Sequence, residues 1–148
     1  MTLRIKRAAP AKSSFSQGNS NCVYVGTRGV GPWVYIWESE NGPGTSHGID
    51  WRVMESWLDD VANDRYEPTR LDGDRLMVHI VTDEDGRNWL DRPHGWRPAR
   101  FETTQENWEA FVAGVKRKEF SRFIREAQDN EEASLKRMAA YKKARQVA

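Results

Sequence analysis

The side chains in this sequence that could do chemistry are few and scattered. Three histidines, His47, His79 and His94, accompany a single cysteine, Cys22. A zinc site on a helix needs ligands three or four residues apart, and these four residues do not have that spacing. His47 and His94 stand among glycines and prolines, where a polar surface ring is expected. His79 falls in an apolar run that places it on a strand, hydrogen-bonded and partly covered. Cys22, in a strand pattern, reads as a small buried hydrophobe rather than a nucleophile. A lone cysteine cannot form an internal disulfide, which points to a reducing, cytoplasmic setting. The carboxylates Asp59-Asp60 and Asp83-Glu84-Asp85 are the two clusters that could serve as an acid–base pair or hold a divalent cation. Residues 83–86 lack the oxygen-ligand spacing of a calcium loop. The glycines of residues 26–31 are not followed by the Lys-Ser or Lys-Thr of a phosphate loop, and Ser13 and Ser14 lack a nucleophile elbow. The expectation is a protein that is not an enzyme, with no metal ligands and no organic cofactor.

Binding is the better-supported chemistry. The net charge of +1 conceals a separation: residues 38–85 hold 13 acidic and 4 basic side chains, and the rest hold 19 basic and 9 acidic. Such asymmetry suits phosphate contact at the basic ends, an answer of one sign to the other across a partner interface or the subunit interface of a homodimer, or plain solvated faces. Lys136, Arg137, Lys142, Lys143 and Arg145 follow one another without an acidic residue, behind Lys116, Arg117, Lys118, Arg122 and Arg125. Along one long helix these could face nucleic-acid phosphates, although no groove-reading motif accompanies them. Leu135, Met138 and Tyr141 trace an apolar line through the same stretch, so the tail could also dock on a protein, or stand free in solvent. Seven tryptophans in a chain only 38% hydrophobic mean that large rings must build the core and any contact surface. Trp33, Tyr35 and Trp37, with Trp89 and Trp96 in a proline-rich stretch, are the candidate partner-binding residues, since Trp and Tyr are enriched at interface hot spots.

The elements that must position these residues form one domain of α+β class: a small mixed or antiparallel sheet packed by two Trp-bearing helices, with a long C-terminal helix. Residues 1–20 read as a basic N-terminal arm, 21–127 as the domain and 128–148 as a basic helical tail. No apolar run follows Arg4, Lys6 and Arg7, so neither a secretory signal nor a membrane span is expected. Residues 22–26 and 33–37 flank Gly29, Gly31 and Pro32 and predict a hairpin. The second strand is apolar throughout, which predicts cover on both faces. Trp51, Met54, Leu58 and Val61 have helical spacing behind Asp50 as N-cap. Residues 62–74 read as loop, 76–81 as a strand and 99–102 as a short edge segment. Thr103 and Glu106 form a capping-box pattern that opens the longest helix, with a stripe of Trp108, Phe111, Val115, Phe120, Phe123 and Ile124. The expected core is Trp33, Ile36, Met54, Leu58, Val78, Ile80, Trp108, Phe111 and Val115. Trp51, Met54 and Leu58 repeat the spacing of Trp108, Phe111 and Val115. The domain therefore consists either of two related strand–helix units, 21–62 and 75–127, or of one unit split by an insertion.

Two stretches carry a resemblance. Lys12-Ser13-Ser14-Phe15-Ser16 leads into Asn21-Cys22-Val23-Tyr24-Val25, and Phe101 and Thr103 precede Trp108, Phe111, Val115, Glu119 and Phe120. In this order they resemble the BldB-like actinobacterial regulators, the domain of unknown function family 397, with matches at residues 12–44 and 101–120. Members of that family read K-S-S-[YF]-S, then N-C-V-E-V, then W-x-A-F-x-x-x-V-x-x-x-E-F. This chain differs in having Pro10-Ala11 where a Trp is usual, Tyr24 in place of an acidic residue, and Trp37-Glu38-Ser39-Glu40 where R-D-S-K is common. The resemblance implies a small non-catalytic protein that acts on a helix-turn-helix transcriptional regulator as its antitoxin-like or modulatory partner. The alternative from the residues alone is direct, non-specific nucleic-acid binding through Lys136, Arg137, Lys142, Lys143 and Arg145.

Overall fold

The computed structural model describes residues 10–15, 22–29, 31–38, 48–80 and 99–147. They form an α+β domain of two antiparallel sheets and three helices. The first sheet has the order β1 (Ala11–Lys12), β2 (Val23–Gly26), β3 (Trp33–Glu38) and β4 (Gly48–Asp50). The second has β5 (Thr69–Arg70), β6 (Arg75–Ile80) and β7 (Ala99–Thr104). Helix α1 (Trp51–Ala62) follows β4 directly, α2 (Gln105–Lys116) follows β7 directly, and α3 (Ser121–Val147) closes the chain. The strand period of two explains the sheets: Val34 and Ile36 of β3 are buried in the core, while Trp33 and Tyr35, which alternate with them, are half-buried on the other face.

The same hydrogen-bonding plan occurs twice. Trp33 of β3 pairs with Asp50 at the end of β4, and Arg75 of β6 pairs with Thr104 at the end of β7. Each of those last strand residues caps a helix of 12 residues: the Asp50 side chain accepts from the Arg52 N–H, the Thr104 side chain from the Asn107 N–H. Such a cap is worth about 1 kcal/mol. The Trp51 N–H donates to the Pro32 carbonyl at 2.9 Å, and the Gln105 N–H donates to the Asp74 carbonyl at 2.8 Å. Both helices stop in a Schellman turn with a non-glycine residue in the left-handed region, Asp64 at φ 57° and Lys118 at φ 60°. Arg65 N–H returns to the Asp60 carbonyl and Glu119 N–H to the Gly114 carbonyl. The buried positions correspond as well: Met54, Trp57 and Val61 in α1 have the spacing of Trp108, Phe111 and Val115 in α2.

This register differs by three residues from the one read in the sequence, which matched Trp51, Met54 and Leu58 to the α2 trio. Trp51 and Leu58 are only half-buried, whereas Trp57 is 6% exposed and stacks on Phe111, with ring centroids 5.8 Å apart. The N-cap of α2 is Thr104 rather than Thr103. Thr103 instead points inward from β7, opposite Leu76 of β6, its hydroxyl buried without a hydrogen-bond partner. The single long helix expected from Trp108 onward is two helices, broken at Lys118. Residues 69–70, expected as loop, pair with β6, and β7 pairs with β6 over all six of its residues. Ala11 and Lys12, expected in a free arm, pair with β2.

The core runs through both sheets and all three helices. Trp57, Tyr66, Trp108, Phe111 and Phe120 form a continuous set of ring contacts with centroids 5.1–6.1 Å apart. Phe120, Phe123, Ile124 and Ala127 fix the first half of α3 in that core. The second half continues outward. At 1.5 Å per residue the 27-residue helix is about 40 Å long. Among the described residues no helix is long and apolar enough to cross a membrane.

Candidate functional site

The face of the first sheet turned away from the core carries aromatic rings. Tyr24 pairs across the sheet with Trp37, and the two rings stack at 5.8 Å with planes 9° apart. Tyr35 stands between Gly26 of β2 and Gly48 of β4. A Cβ at Gly48 would lie 3.2 Å from Trp33 Cβ and 3.3 Å from the Tyr35 ring, so glycine lets these two side chains cross the strand. The Arg28 guanidinium covers the Tyr35 ring at 4.0 Å in a cation–π contact, and Lys12 and Asp50 stand opposite Tyr24 and Trp33 on the same face. Trp33 and Tyr35 are half-buried and Trp37 is 7% exposed. The cover expected on this strand is thus partly internal: Tyr24 lies on Trp37, Arg28 on Tyr35. Trp89 and Trp96 lie outside the described residues.

A second feature joins residues more than a hundred positions apart. The Ser13 hydroxyl and the Ser14 N–H donate to Glu119 Oε1, at 3.4 and 3.1 Å. Ser13 is 1% exposed, and its hydroxyl also accepts from the Phe15 N–H at 3.1 Å. Gly114 makes room for this clasp, because a Cβ there would come within 2.6 Å of Ser13 Oγ and 2.8 Å of Glu119 Oε1. Hydrogen bonds from Ser14, through side chain and backbone, and from Ser13 hold the Glu119 carboxyl below its ordinary value. Arg117, near Glu119, acts in the same direction and lies over the Phe15 ring at 5.6 Å.

A third feature fixes the direction of α3. Arg52 donates to both oxygens of Glu131, at 3.0 and 2.7 Å, and to Asp50 at 3.2 Å, while its guanidinium stacks on Trp51 at 4.4 Å. Hydrogen bonding to Glu131 raises the Arg52 pKa from an already high value. Thr27 donates to Glu126, and the Gly31 N–H to the Ser134 hydroxyl at 3.2 Å. Beyond Ser134 the helix leaves the domain. Sequence reasoning treated residues 128–132 as a polar surface and missed Glu131, which is 8% exposed; its place seven residues after buried Ile124 is the signal that would have found it.

The residues singled out for chemistry are dispersed or engaged. Asp59 and Asp60 both bind Arg65, at 2.6 and 3.1 Å, on the surface. Cys22 is buried. His79 is half-buried on β6, where the Tyr66 hydroxyl accepts from its N–H at 2.8 Å and donates to its carbonyl at 3.1 Å. His47, His94 and Asp83-Glu84-Asp85 lie outside the described residues. Among the described residues no group of three or more His, Cys, Asp or Glu side chains could hold a metal ion. Lys136, Arg137, Lys142, Lys143 and Arg145 are all exposed on the outer half of α3; Lys136 pairs with Glu132 at 3.1 Å and Arg145 lies over the Tyr141 ring at 5.6 Å. No family model, curated protein or solved structure matches the chain.

Proposed function

We propose that this protein is a non-enzymatic regulator that acts by binding another protein through the outer face of its first sheet. The observation that carries this reading is the set of rings there: half-buried Trp33 and Tyr35, which meet over Gly48, lie beside the stacked pair Tyr24–Trp37. Rigid aromatic side chains lose little conformational entropy when a partner covers them, and such residues supply most hot-spot energy. The class of partner rests on the resemblance to BldB-like regulators. It gains support from the clasp, since Ser13 and Ser14 of the first matching stretch bond to Glu119 of the second. The partner is then a helix-turn-helix transcriptional regulator, held in an antitoxin-like or modulatory complex.

The test is affinity capture from a native host with the full chain and with Trp33→Ala and Tyr35→Ala. The wild type should recover one such regulator in stoichiometric amount, and each variant should weaken its binding by about 2 kcal/mol with an unchanged fold by circular dichroism. Capture that both variants leave intact would remove the sheet face from the interface. Turnover of a substrate by the purified chain would end the non-enzymatic reading.

A further inference from the structure

The repeated plan of the domain exposes an asymmetry. On the first copy, α3 runs antiparallel to α1 along the flank that bears Trp51, Arg52 and Leu58, and covers the β2–β3 turn. Thr27, Gly31 and Pro32 are buried there. By strand register and helix start, their counterparts on the second copy are Arg70, Gly73 and Asp74, and all three are exposed. Among the described residues no helix lies along the corresponding flank of α2, which bears Gln105, Glu106, Glu109 and Val112. Leu71 beside it is 36% exposed.

The two flanks differ in charge at one position, where α1 has Arg52 and α2 has Glu106, and both carry a carboxylate at the next, Glu55 and Glu109. Where α1 offers Arg52 to Glu131 of α3, the α2 flank has Glu106 and Glu109, with Asp72 and Asp74 on the strand turn, four carboxylates against the cation Arg70. The first half of α3 answers the first flank with both signs, Glu131 on Arg52 and Arg125 near Glu55 and Asp59. Its second half, residues 135–146, suits the other: Lys136, Lys142, Lys143 and Arg145 stand beside Leu135 at 43% and Tyr141 at 63% exposure, with no acidic residue. That half projects about 20 Å away from its own domain, at 1.5 Å per residue. We propose that the basic half of α3 docks on the acidic flank of α2 in a second copy of the chain. Exchanged reciprocally about a twofold axis, the two tails close a dimer and give each α2 the covering helix that α1 already has.

Sedimentation velocity on the full chain tests this. The wild type should dimerise at low salt and dissociate as salt screens the contact. Reversal of the flank (Glu106→Lys with Glu109→Lys) and reversal of the tail (Lys142→Glu with Lys143→Glu) should each raise the dissociation constant by more than about tenfold, with the circular dichroism spectrum of a folded chain retained because all four side chains are exposed. Mixing the two variants should restore the dimer, since each then meets a complementary partner. A wild type that stays monomeric up to about 1 mM, or a dimer that neither reversal weakens, would overturn the proposal. So would a monomer that shifts unrelated duplex DNA through residues 135–146, which would assign the tail to phosphates instead.

Discussion

At the scale of single residues, Glu119 shows how one carboxylate can tie the ends of a fold together. It accepts from Ser13 and Ser14, and the left-handed Lys118 before it turns it back toward Gly114. Its lowered pKa gives the sign of a pH effect. A carboxyl whose folded pKa lies below the ordinary 4.5 stabilises the fold above that value and loses the contribution as pH falls through the folded pKa. Wild type should therefore lose stability below about pH 4.5 faster than Glu119→Gln, and the gap between the two proteins should close at the acid end. Urea midpoints measured from neutral to acid pH will show this, and parallel curves would mean that the charge of Glu119 contributes nothing to the clasp. The carboxylate faces solvent on one side, so the difference is small.

At the scale of elements, the rings of α1 and α2 govern stability. Phe111 is 1% exposed and touches Trp57, Trp108 and Phe120. Phe111→Ala should cost about 3–5 kcal/mol, read as a lower urea midpoint with an unchanged slope; an unchanged midpoint would take α2 out of the core. Much of this level was legible in the sequence. Apolar spacing located both helices, Asp50 announced the start of α1, and the glycines and proline at 29–32 announced the hairpin. The failures have physical causes. Lys118 ends α2 in a conformation that usually signals itself through glycine, so a continuous apolar stripe from Trp108 to Ile124 concealed two helices. Thr103 and Thr104 are both capable caps, and strand parity, which sends Thr103 inward, decided between them. Trp57 looked like one of several tryptophans until Tyr66 and Phe111 closed around it. The aromatic face needed pairing partners from β2 and β4, which no local pattern supplies, and the clasp needed residues 105 apart.

At the scale of the whole molecule, the two copies of the strand–helix plan are not two domains in any energetic sense. Ring contacts Trp57–Trp108, Trp57–Phe111 and Tyr66–Trp108 cross between them, Lys116 pairs with Asp64 at 2.9 Å, and the clasp ties β1 to the end of α2. Helix α3 begins at the second copy and packs on the first, where Arg52 holds Glu131. Neither copy can open without exposing rings of the other, at about 25 cal/mol for each Å² of apolar surface returned to water. Unfolding should accordingly be a single cooperative transition. Tryptophan fluorescence reports on Trp33 and Trp37 in the first sheet as well as Trp57 and Trp108 between the helices, whereas far-ultraviolet circular dichroism is dominated by α1, α2 and α3. The urea curves from the two probes should superimpose. A fluorescence transition that separates from the helical one would show that the first sheet melts alone, and that the contacts across the rings are too weak to make one folding unit of the chain.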